Sequence, residues 1–168
     1  KIVGGRTSET TCTSTTYPTC SGGAVFVTGV DSLFEARSVF FTDNTAASGG
    51  AVYGTVQATI SVQDSTFSQN HASKGVAGAL GMLSYSGASM NTSNTRFEAN
   101  TANYHGGAVA VYEQDKVPWR TTTGTFNNCA FIDNTATNEF GGAIFFVGAK
   151  LVLEGDGNKF MGNVAGGG

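Results

Sequence analysis

Charge is scarce in this chain, with nine basic and twelve acidic residues among 168, about half the share usual in soluble domains. A formal net charge of −3 and the lack of any basic cluster exclude the electrostatic footprint of a nucleic-acid partner. Long apolar runs are missing too. None approaches the roughly 18 residues of a membrane-spanning helix. The chain opens at Lys1-Ile2-Val3 without a Met or a signal peptide, so either a secretion signal was removed or this is a piece of something longer. What is abundant is glycine, 24 residues and about twice the norm, together with twelve Phe and many Val and Ala. That much apolar surface argues against disorder and for a fold with many turns and a polar, uncharged exterior.

Helical periodicity is the next absence, because no stretch keeps an apolar period of 3.6. Another period is plain. Phe-x-x-Asn occurs at Phe41-Asn44, Phe67-Asn70, Phe97-Asn100, Phe131-Asn134 and Phe160-Asn163, at intervals of 26, 30, 34 and 29 residues. A small-residue triplet alternates with it at Gly22-Gly23-Ala24, Gly49-Gly50-Ala51, Ala77-Gly78-Ala79, Gly106-Gly107-Ala108, Gly141-Gly142-Ala143 and Gly166-Gly167-Gly168. The segments between are short and rich in Val, Phe, Thr and Ile, which reads as strands. A period of about 28 residues with three short strands fits one coil of a solenoid in which insertions leave through turns and the core register is kept. The sequence therefore predicts an all-β, right-handed, single-stranded parallel β-helix of five to six coils over residues 20–168, preceded by a Thr/Ser-rich segment over residues 1–19.

The two words suit that geometry. Coils lie about 4.8 Å apart, so equivalent side chains stack directly. The five Phe are expected inside as an aromatic stack. The preceding residues (Phe40, Thr66, Arg96, Ala130, Lys159) are expected to face out, and those two before (Val39, Ser65, Thr95, Cys129, Asn158) to face in. The Asn is expected at a turn, forming an amide ladder and tolerating left-handed backbone angles. Gly-Gly supplies the positive φ of a sharp corner, and Ala fits where the corner crowds the core.

These words resemble the repeats of the chlamydial polymorphic membrane proteins, whose hallmark pair is Gly-Gly-Ala-(Ile/Leu/Val) and Phe-x-x-Asn. The resemblance covers residues 20–168 and implies a surface-displayed β-helical passenger with adhesive or structural roles. The chain departs from the pattern at Ala77, which replaces the first Gly of its triplet. It also shows no barrel-forming strands after the repeats, so the autotransporter part of that description is not carried over.

Cys12 and Cys20 flank the Thr-rich stretch, where a disulfide would staple the first coil, and Cys129 reads as a small buried hydrophobe. Asn91-Thr92-Ser93 is the one N-glycosylation sequon. The longest interval contains Glu113-Gln114-Asp115-Lys116-Val117-Pro118-Trp119-Arg120. Glu113, Asp115, Lys116, Trp119 and Arg120 make this a candidate binding loop, against the plainer reading of a decorated turn. Ile2-Val3-Gly4-Gly5 matches the activated start of trypsin-like proteases, but the chain has no Gly-Asp-Ser-Gly-Gly. His105-Gly106 matches a pair found in β-helical polygalacturonases, yet no Asp-Asp pair accompanies it and glycosidic hydrolysis needs paired carboxylates. No His, Cys or Asp cluster has metal-ligand spacing, and no cofactor is expected.

The expectation is a non-catalytic extracellular or cell-surface rod, structural or adhesive, set against a carbohydrate-active β-helix enzyme or a receptor-binding adhesin passenger. Its expected partners are a host or cell-surface protein or glycan, and copies of itself. In the polymer reading Lys1, Ile2 and Val3 complete a neighbour's last coil beside Gly166, Gly167 and Gly168; in the other, the chain continues into a longer repeat protein.

Overall fold

The computed structural model describes Ile2–Val3 and residues 21–85, 87–114 and 121–167. All regular structure among them is strand, arranged in one six-stranded and three five-stranded sheets. Neighbouring strands are always one coil apart in sequence and always parallel: Val52–Val56, for example, lies between Val25–Thr28 and Leu80–Ser84. The chain is a parallel β-solenoid of about five coils. Each coil has four strands rather than the expected three. The fourth is a two-residue strand directly after the Asn, as at Thr45–Ala46 and His71–Ala72, too short to be recognised by alternation.

The register places the repeat as expected. Phe41, Phe67, Phe97 and Phe131 are fully buried. From Phe41 to Phe160 successive rings are 4.5, 5.0, 4.9 and 4.8 Å apart and lie within 10° of parallel. Val39, Ser65, Thr95, Cys129 and Asn158 line up inward, and the residues between them and each Phe face out. An alanine column, Ala46, Ala72, Ala102 and Ala136, is fully buried beside the aromatic one. The remaining core is filled by compensation across sheets. Gly54 leaves room for Ile60, whose Cδ1 is 2.8 Å from where a Cβ would sit, and Gly124 leaves room for the Phe146 ring.

The asparagines form a continuous buried ladder. The Asn70 carboxamide donates to Phe41 O (3.0 Å) and to Asn100 Oδ1 (2.9 Å), while its own Oδ1 accepts from the backbone and side-chain nitrogens of Asn44. Asn100 and Asn134 repeat the pattern one coil further each time. Both donor hydrogens and both acceptor lone pairs of an interior carboxamide are thereby satisfied without water. The left-handed residue of the word is not the Asn. It is the residue before it, Asp43, Gln69, Ala99, Asp133 and Gly162, with φ from 52° to 61°. This corrects the expectation from sequence: the Asn is retained for its carboxamide, and the turn is made by its neighbour.

The Gly-Gly pair also divides its duties. The first residue turns the corner at positive φ, 57° at Gly49 and 65° at Gly106, and Ala77 is held there at 61° despite its Cβ. The second is glycine because coils touch. A Cβ on Gly50 would fall on the Gly78 carbonyl oxygen, one on Gly78 on that of Gly107, and one on Gly107 on that of Gly142.

Ile2–Val3 pairs in parallel with Phe41 and Thr42 of the same chain, with Ile2 in register with Phe41. The sequence expectation placed Ile2 and Val3 in a neighbour's last coil; within the chain they pair with the first coil. An edge within the same chain presents a far higher effective concentration than one on a separate molecule.

Phe97 sits between two parallel rings, so Phe97→Ala removes contacts on both faces. It should cost about 3–5 kcal/mol and lower the Tm by about 10 °C. Thermal denaturation checks this, and a Tm within a degree of the parent would contradict the stacking.

Candidate functional site

The turn that precedes each Gly-Gly corner varies in length. It is Ala47-Ser48 after the first Asn, then Ser73-Lys74-Gly75-Val76, Asn103-Tyr104-His105 and Thr137-Asn138-Glu139-Phe140. The longer turns stand up as a wall beside the sheet that follows the corner. The outward positions of that sheet form two columns, Phe26, Tyr53, Gly81, Ala110, Phe145 and Thr28, Thr55, Leu83, Tyr112, Val147. Gly81 and Ala110 carry little or no side chain in a row of aromatics, and the rings close over them. A Cβ on Gly81 would lie 2.6 Å from Tyr53 Cδ2, and Ala110 packs under Tyr112 and Phe145.

Wall and floor enclose a cleft of about 380 Å³ lined by Tyr53, Val76, Leu83, Tyr104, His105, Tyr112, Gln114 and Glu139. That volume lies within the range of small-molecule sites. Tyr53 and Leu83 of the sheet are buried and form its floor, Val76 is buried in the wall, and Tyr104 is 41% exposed at the mouth. His105 is wedged between Phe145 (4.2 Å, 9°) and Phe140 (5.8 Å, 9°). Its Nδ1 accepts from Phe140 N–H at 3.3 Å, and Nε2 faces Glu139 Oε2 at 3.0 Å. An Nδ1 that accepts carries no proton, so Nε2–H donates to the carboxylate. Both nitrogens are engaged in holding the wall, and His105 is a positioning residue in this arrangement. Glu139 brings a negative charge to the rim, and no basic side chain lines the cleft among the described residues.

The residues singled out from sequence lie elsewhere. Glu113 is not part of an exposed recognition surface. It ends the strand Val109–Glu113, is 7% exposed, and its Oε1 accepts from Thr122 N (3.1 Å) and Thr122 Oγ1 (3.3 Å). It clamps the base of the insertion instead, because the carboxylate follows the inward alternation of its strand. Asp115, Lys116, Trp119 and Arg120 lie outside the described residues, as do Cys12, Cys20, Lys1 and Gly168. Asn91 is exposed at the centre of the strand Ser89–Ser93. Gly166 and Gly167 donate to Ala136 O and Glu139 O of the preceding coil. His71 lies on the exposed face of its two-residue strand, whereas His105 stands in the turn before Gly106. Among the described residues no group of His, Cys, Asp and Glu is placed to hold a metal ion.

The cleft was not found from sequence, although two signals point to it. Gly81 interrupts an apolar strand, which marks a close approach by another group. The spacing from Asn to the corner also lengthens in the coils that carry Tyr104, His105 and Glu139.

Cys129 is fully buried, with Sγ 3.5 Å from Thr92 O and Asn127 O. Burial pushes its thiol pKa up, partly offset by the backbone contacts. Peptide mapping after iodoacetamide treatment should leave native Cys129 unmodified and label it fully in guanidinium chloride. Maps made without reductant should link Cys12 to Cys20. Rapid labelling of native Cys129 would mean that its position faces solvent.

No curated protein and no solved structure matches the chain. Residues 38–55, which run from the residue before Val39 through the first Phe-x-x-Asn word and the Gly49-Gly50-Ala51 corner, match the family described as the Chlamydia polymorphic membrane protein (Chlamydia_PMP) repeat.

Proposed function

We propose that this chain is a non-catalytic, adhesin-like segment of a cell-surface β-solenoid, a stiff rod that carries its contacts on turns. The observation that carries this reading is the division of labour within the coil. The interior is filled from Phe41 to Asn163 by ladders that specify stacking and nothing else, while variation in length and chemistry is confined to the turns. The match at residues 38–55 to a repeat named for polymorphic membrane proteins supports placement at a surface. The exposed Asn91 is a candidate attachment site for an N-glycan, and its strand position would hold a glycan clear of both corners.

At the last coil, Phe160, Met161 and Val164 are 46, 59 and 54% exposed, because only one neighbour covers them.

Protease shaving of intact producing cells should release peptides of this chain, and the purified chain should leave polygalacturonate uncleaved with or without calcium. Peptides recovered only after lysis would refute the surface placement. Turnover abolished by one carboxylate substitution would replace the reading with an enzymatic one.

A further inference from the structure

Of the residues that line the cleft, those that matter to a ligand still have surface to offer. Tyr53, Val76 and Leu83 keep only 1, 3 and 5% of theirs, so floor and wall have almost no apolar area left to bury. Tyr112 is engaged with His105 and Phe145, and the His105 ring lies flat between Phe140 and Phe145. Three groups remain open at the mouth. Tyr104 is exposed, and no other ring among the described residues stacks on it. Gln114 is exposed and is tied to the fold by its backbone N–H, which donates to Ser84 O; its carboxamide is unbonded among the described residues. Glu139 meets His105 through Oε2, and its Oε1 is free among the described residues to accept without disturbing that pair.

An open aromatic ring, a carboxamide and a carboxylate oxygen around one cavity suit a sugar ring. A pyranose has a face of C–H bonds that packs on an aromatic ring. Its rim of hydroxyls can donate to a carboxylate and can both donate to and accept from a carboxamide. We propose that the cleft binds a neutral pyranose residue, with its apolar face on Tyr104 and its hydroxyls shared between Glu139 Oε1 and the Gln114 carboxamide. Neutrality follows from charge, because a sulfate, phosphate or uronic acid would face Glu139 with no basic side chain in the lining. A purely apolar ligand would meet a floor that is already closed. The open groups are held in place before a ligand arrives, since the His105 wedge and its bond from Phe140 N–H fix the turns that carry Tyr104 and Glu139. This inference names a partner class for the adhesive reading and rests on that reading for its setting.

Saturation-transfer NMR on the full chain tests it with methyl glycosides of glucose, galactose and mannose, each set against its own uronic acid. At least one neutral glycoside should bind saturably with a Kd of about 1 mM, and its uronic acid about tenfold more weakly. Tyr104→Ala should weaken the neutral sugar about tenfold, whereas Tyr104→Phe, which keeps the ring face, should stay within about twofold. Gln114→Ala should cost about fivefold, and Glu139→Gln should narrow the gap between the neutral sugar and its acid. Tyr104 and Gln114 are exposed, so their variants should keep the parent Tm. No saturable binding by any of the three glycosides, equal or tighter binding of the acid, or binding that survives Tyr104→Ala overturns the proposal. None of those results touches the surface placement, which protease shaving decides. Sugar binding by a chain that shaving fails to release would keep the site and remove its adhesive setting.

Discussion

The fold depends on one requirement, that every buried carboxamide find its partners on the next coil. An interior Asn of the ladder cannot be satisfied by its own coil alone. Its amide hydrogens reach a Phe carbonyl on one side and the next Asn on the other, and its oxygen serves the coil before. An unsatisfied buried polar group costs about 1–3 kcal/mol, so a slip between coils would orphan several groups at once. The ladder sets the superposition, and the flat aromatic stack and the glycine-to-carbonyl contacts of the corner are tolerable only because superposition is kept.

That requirement also decides where the chain can vary. Length changes inside a strand would break register, whereas length changes in turns leave it intact. The solenoid has used two of its turns in this way. One, between the strands Val109–Glu113 and Thr123–Asn127, holds the longest insertion, closed at its base by the Glu113–Thr122 bonds. The other is the turn before the corner, whose added residues build the wall of the cleft. Variation is confined to the flanks because the interior has no freedom left to host it.

Much of the fold was legible because the repeat words are direct consequences of stacking. Phe97 reads as a core residue from its recurrence alone, and Gly50 reads as a corner. The finer assignments were hidden by what recurrence cannot report. It shows that Asn70 is fixed but not whether the backbone angle or the carboxamide fixes it, and the angle belongs to Gln69. The fourth strand escaped notice because two residues carry no alternation, although the buried alanines at positions 46, 72, 102 and 136 mark it. The cleft was harder still. Tyr53, Tyr104, Tyr112 and Glu139 come from three coils and share no spacing, so only the register of the stack brings them together. Glu113 misled because a charge near Trp119 and Arg120 reads as surface, while strand alternation turned it inward.

The most direct test of the central claim is hydrogen exchange at the side-chain amides of Asn70, Asn100 and Asn134, followed by NMR under native conditions. If the ladder is what couples the coils, these carboxamide protons should exchange only through global unfolding, and at a common rate. Exchange at the rate of exposed carboxamides, or widely different rates among the three while the neighbouring strands stay protected, would show that stacking is held by something else.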